Sequence, residues 1–215
     1  MTRTIVAIAL AGLVVLPGCQ SAYYSAMEKV GYAKRDILTS RVKSARDSQE
    51  DAKEEITDAL TAFGKVVSYQ GGNLETQYNS LSDQLDDSED AAAAVKKRVA
   101  DVESVGTALF KEWKAELAKY SSAELRSKSE QQLRQTRSRY DAMLGAMKRA
   151  EARLDPALQP MRDQVLYLKH NLNARAISSL GATHRELEAD ISRLIGDMEA
   201  SIREAQNFIR DMKSS

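Results

Sequence analysis

Very little that bends, cross-links or catalyses is present in this chain. Among 215 residues there are one cysteine, three prolines and ten glycines, and aromatic side chains make up only 6%. A lone cysteine excludes an internal disulfide framework. Lysine plus arginine equals aspartate plus glutamate at 31 each, so the formal net charge is zero. Nucleic acid, which selects a strong basic excess, is therefore not an expected partner. No Gly-x-Gly-x-x-Gly, Walker loop or Gly-x-Ser-x-Gly occurs, which leaves dinucleotide, phosphate-loop and hydrolase chemistry unsupported. Each of the two histidines lacks the glutamate three places earlier that helical di-metal bundles use: Tyr167 precedes His170 and Gly181 precedes His184. Neither has a second histidine four places on. Acid pairs such as Glu54–Glu55 and Asp86–Asp87 are adjacent, and adjacent helical residues do not face each other. No enzyme, cofactor or metal is expected.

What is present begins with an export pattern. Arg3 is followed by an apolar run from Ile5 to Leu16 and then small residues, the layout of a secretory signal. The run is shorter than the roughly 20 apolar residues a membrane span requires. Leu16-Pro17-Gly18-Cys19 resembles the lipobox of bacterial lipoproteins, with Pro17 a less usual occupant of its second place. The resemblance implies cleavage after Gly18 and lipid on Cys19, which accounts for an otherwise unmatched cysteine. In such lipoproteins an aspartate after the cysteine implies inner-membrane retention. Gln20 there implies the outer membrane, facing the periplasm. The expected divisions are a signal peptide at 1–18, a lipid-anchored linker or helix start at 19–33, and a helical domain at 34–215.

The domain itself reads as all-α. No proline lies between residues 20 and 155, so long helices are uninterrupted there. Leu38, Val42, Ala45, Gln49, Ala52, Ile56, Ala59, Phe63 and Val66 advance by alternating steps of four and three. Leu74 through Gly106 to Trp113, Leu133 through Tyr140 to Leu154, and Leu187 to Met212 do the same. Such heptads hold one seam of a helix against a partner helix. Gly71-Gly72-Asn73 predicts a turn and a new cap, Ser121-Ser122-Ala123-Glu124 a capping box, and Asp155-Pro156 a further helix start. Gly181 offers a weaker break. The expectation is an elongated antiparallel bundle or coiled coil of three to four long helices. It either kinks at Pro156–Pro160 and turns at Gly181, or breaks at the prolines. Small or polar seam residues such as Ser88, Ala92, Thr136 and Gln49 suggest a homodimer that completes the burial.

Charge is segregated: Leu74–Ala94 holds six acids and no bases, whereas Ala123–Arg175 holds a basic excess. Pairing of the two runs is the expected reading. The alternative is a helical dimer that shapes membranes or binds an anionic surface through the basic run.

Finally, Arg162-Asp163-Gln164-Val165-Leu166-Tyr167-Leu168-Lys169-His170-Asn171-Leu172-Asn173-Ala174-Arg175-Ala176 looks like a family of Gram-negative lipoproteins catalogued as a domain of unknown function. Arg149–Leu154, Lys34–Leu38, Val42–Asp47 and Leu109–Trp113 extend the resemblance over nearly all of the chain after Cys19. It implies an exported, lipid-anchored helical protein and lends no catalytic residues. Tyr167, Lys169, His170, Asn171 and Asn173 are the candidate partner surface, with an envelope protein as the expected partner.

Overall fold

The computed structural model describes residues 34–214. The expected signal peptide, Cys19 and the 19–33 segment lie outside the described residues. Four long helices follow one another antiparallel: α1 (Lys34–Val67), α2 (Leu74–Glu116), α3 (Ala123–His170) and, after the five-residue helix α4 (Ala174–Ser178), α5 (Gly181–Ser214). A 3-10 turn, Leu117–Lys119, closes the C-terminal end of α2. Among the described residues no strand occurs.

Each long helix packs on two neighbours in a closed ring, α1 on α2 and α5, and α3 on α2 and α5. The heptad residues line the axis of that ring. Leu38, Val42, Ala45, Ala52, Ile56, Ala59, Phe63 and Val66 are all fully buried, and so are their counterparts Leu81, Val95, Val102, Met143, Met147, Leu154, Leu194 and Met198. Burial of each large apolar side chain is worth about 1.5–3 kcal/mol, far more than helix propensity supplies. Four helices of one chain cover even the small seam residues Ser88 and Ala92. Thin seams therefore give no reason of their own for a second copy.

The turns follow local chemistry. Gly71 and Gly72 have φ of 139° and 105°, backbone that a side chain disfavours. The Tyr69 hydroxyl donates to the Gly72 carbonyl at 2.7 Å, and Asn73 caps α2 by accepting from the Thr76 amide at 3.2 Å. At the next reversal the cap is Ser122, accepting from the Leu125 amide at 3.3 Å. It stands one place later than the expected box, so Glu124 lies in the first turn, where a negative charge suits the helix dipole.

Asp155-Pro156 is not a helix start. Helix α3 runs through both Pro156 and Pro160. The reason is packing: Leu154, Leu158, Met161, Val165 and Leu168 continue the four-three spacing across the prolines and are all buried. The chain reverses instead at Asn171–Asn173 and again through Ser179 and Leu180, with α5 starting at Gly181.

Polar residues inside the ring set its register. The Ser201 hydroxyl donates to Gln49 Oε1 at 2.8 Å, joining α5 to α1. Ser88 lies 2.9 Å from the Glu55 carbonyl on α1 and 2.8 Å from the Gln84 carbonyl on its own helix. Tyr140 fills the space left by Gly106, donating to the Val102 carbonyl at 3.3 Å. A Cβ at position 106 would stand 2.3 Å from the Tyr140 ring.

Candidate functional site

The segment that the sequence singled out occupies the last two turns of α3 and the reversal after it. One face is core: Val165 and Leu168 are buried, and Leu172 packs against the same cluster. The opposite face is open. Leu166 is 63% exposed and Tyr167 48%, among the most exposed large apolar side chains of the described residues. Lys169 and His170 are exposed beside them. Residues three and four apart are helix neighbours, so Leu166, Tyr167, Lys169 and His170 form one contiguous patch. Lys169 and His170 also stand in the last turn, where positive charge suits the helix dipole.

The two asparagines have local work. Asn171 donates from Nδ2 to the Tyr167 carbonyl at 3.0 Å, and its backbone amide bonds the Leu168 carbonyl at 3.1 Å. Asn173 caps α4, accepting from the Arg175 and Ala176 amides at 3.1 Å each. Of the five candidate residues, the structure thus brings Tyr167, Lys169 and His170 together on the outside. Asn171 and Asn173 build the bend that ends the patch.

His184 is elsewhere. Its ring stacks on Phe63 with centroids 5.8 Å apart and planes 9° off parallel, and Nδ1 lies 3.8 Å from the Glu188 carboxylate. Trp113, expected on the seam, is half-buried and donates from its indole N–H to Ser129 Oγ at 2.9 Å. Among the described residues no group of three or more His, Cys, Asp or Glu is placed to hold a metal, and no helix is long and apolar enough to cross a membrane.

The basic run of α3 is largely occupied by acids. Arg126–Glu130, Lys128–Glu124 and Arg137–Asp141 pair along the helix. Arg139–Asp211 and Arg153–Asp197 reach α5, while Lys148–Glu103 and Arg162–Glu89 reach α2. Of these ion pairs among the described residues, Arg162–Glu89 is the one that joins the acidic run to the basic one. Asp87 and Asp90, by contrast, line a groove with Asp51 and Glu55 of α1. Lys96 donates to Asp155 at 2.6 Å, and that hydrogen bond, aided by Lys96 and Arg162 charge, holds the Asp155 carboxyl below its ordinary range. Glu151 nearby is raised by burial.

A second feature was not anticipated. At the end of the bundle where α1 begins and α5 finishes, a cleft of about 230 Å³ opens between Arg35, Leu109, Trp113, Gln132, Thr136 and Met212. Its only signal in the sequence is the single tryptophan. The cleft depends on the relative stagger of four helices, which no single segment encodes.

A search among curated proteins gives no match. Residues 23–212 match one protein family from near the start of the 19–33 segment to the last turn of α5. The chain belongs to that family, described as Protein of unknown function (DUF2959).

Proposed function

We propose that this protein is a lipid-tethered helical scaffold of the cell envelope, periplasm-facing on the outer membrane, which docks an envelope protein through the end of α3. The observation that carries the reading is the Leu166–Tyr167 pair, exposed at 63% and 48% beside Lys169 and His170. Aromatic and aliphatic anchors ringed by polar groups are the usual centre of a protein interface. The patch is also the stretch where the family resemblance is densest. Its rigidity comes from the buried side of the same turns, Val165 and Leu168, and from the asparagine-capped reversal.

The address rests on the Leu16-Pro17-Gly18-Cys19 sequence. Cleavage after Gly18 would leave Cys19 with more than one acyl chain, and each buried methylene contributes about 0.8 kcal/mol to membrane affinity. Paired bases along α3 favour this role over membrane shaping, since charges engaged within the bundle have less to offer lipid phosphates.

The test is a photo-crosslinker at Tyr167 in living envelopes, with the Leu166→Ser and Lys169→Ala variants as controls. A stoichiometric envelope protein should be captured and lost in both variants, with the fold unchanged by circular dichroism. Capture of nothing beyond the chain itself overturns the docking role. Fatty-acid labelling that persists in Cys19→Ser overturns the address.

A further inference from the structure

The end of the bundle that carries Leu166 and Tyr167 has a charge character of its own. Because the long helices alternate in direction, this end gathers the close of α1, the Gly71-Gly72 turn, the close of α3, helix α4 and the start of α5. His184 of α5 stacks on Phe63 of α1 there, and α4 touches α1. Aspartate and glutamate together are 31 of 215 residues, yet none falls within 59–74 or 164–185, the two stretches that build this end. Those stretches hold Lys65, Lys169, Arg175 and Arg185, one on each of α1, α3, α4 and α5 and all exposed. Among the described residues none of the four meets a carboxylate in an ion pair. Farther back along α3, Arg139, Lys148, Arg153 and Arg162 each have one. Two of the acids nearby are already engaged: Asp163 accepts from Gln159 Nε2 at 2.9 Å, and Glu188 lies 3.8 Å from His184.

Positive charge left uncompensated around an exposed apolar pair is one half of a complementary interface. We propose that the partner docked by this patch is an acidic protein segment. It sets aspartate or glutamate against Lys169 and Arg175 while an apolar side chain of its own covers Leu166 and Tyr167. This rests on the docking role proposed above and adds to it the chemistry of the partner. Opposite potentials steer the encounter and reject competitors of like charge. A protein counterpart fits better than an anionic lipid surface, because the apolar pair is held in place. Val165 and Leu168 are buried behind it, and the Asn171 side chain is tied to the Tyr167 carbonyl. A fixed aromatic anchor inside a polar rim matches a pocket or ridge of defined shape. Lipid attraction grows instead with the number of clustered cations, and here there is one per helix.

The test places benzoylphenylalanine at position 167 of the full-length chain and irradiates native envelopes. Lys169→Glu with Arg175→Glu should cut the protein adduct about tenfold. Lys97→Glu with Arg203→Glu makes the same change in net charge on exposed residues elsewhere, and should leave the adduct unchanged. Lys169→Gln with Arg175→Gln should give an intermediate loss, and it decides the matter where the reversed chain does not fold. Mass spectrometry of the cross-linked peptide should find aspartate or glutamate within about four residues of the attachment point, the distance of helix neighbours. Capture that survives both charge variants, or a partner stretch without an acid there, overturns the acidic partner and leaves the docking role standing. No adduct in any chain overturns both. An adduct to phospholipid assigns this end to an anionic membrane surface, and an adduct only to a second copy assigns it to self-association; either result overturns the proposal.

Discussion

Gly106 of α2 and Tyr140 of α3 pack face to face, and heptad spacing alone did not mark the two as partners. A phenol seated over a glycine leaves no room for a methyl: the added Cβ would meet Tyr140 Cζ and Oη at 2.3 Å. Gly106→Ala should therefore destabilise the fold by about 1–3 kcal/mol, the usual cost of overfilling a packed core, despite its better helix propensity. A lowered urea midpoint checks this. Arg137 stacks over Phe110 with its guanidinium 4.9 Å from the ring centroid and lies over Tyr140 as well, closing the site from outside. Burial pushes the Tyr140 phenol up to about 12, and the negative charge of Glu103 adds to the shift. A group whose pKa is higher folded than unfolded stabilises fully below the unfolded value, near 10, and loses that contribution as pH rises towards 12. Stability should thus fall across this alkaline window by an amount on the order of 2–3 kcal/mol more than in Tyr140→Phe. Tyrosinate absorbance should show one of the eight tyrosines ionising late in the native protein, a late step that Tyr140→Phe lacks.

Helix α3 carries the clearest lesson about what the chain reveals of itself. Four-three spacing made its character legible, and the same spacing from Leu154 through Leu158 and Met161 to Val165 continues across both prolines. Local rules favour a stop at Asp155-Pro156, but those rules weigh only the backbone. A proline in a helix interior costs about 3 kcal/mol, and four buried side chains in the following three turns, Ala157, Leu158, Met161 and Val165, outweigh that. Pro156 is exposed, so Pro156→Ala restores an amide without emptying the core. It should raise stability by about 1–3 kcal/mol, measured as a higher denaturation midpoint with an unchanged slope. The true end of α3 lay in residues read for another purpose. Asn171 and Asn173 looked like recognition groups because amides suit both recognition and capping, and only their bonds to the Tyr167 carbonyl and the Ala176 amide separate the two. Exposure of Leu166 was equally hidden, since one apolar residue on the wrong face does not disturb a heptad count.

On the scale of the whole molecule, the antiparallel bundle followed from seams and turns, whereas the stagger of its helices did not. Nothing in α2 or α3 alone says that they outrun α1 and α5; that comes from matching Ser201 to Gln49, Lys34 to Glu112 and Arg139 to Asp211 across the ring. Closing the ring has a further result. Arg35 touches the Met212 carbonyl, so the first and last turns of the bundle are neighbours, while the Gly71-Gly72 turn sits at the opposite end on the surface. The order in which the helices are strung is therefore separable from the way they pack. A gene rearranged to begin at Asn73, with a short glycine-serine bridge from position 214 to position 34 and a new end at Gly71, should yield the same helicity and a single cooperative melt. The bridged chain loses only the Tyr69–Gly72 bond at the cut. A molten or aggregated product would mean that the α1–α2 hairpin must be continuous for the other helices to assemble on it.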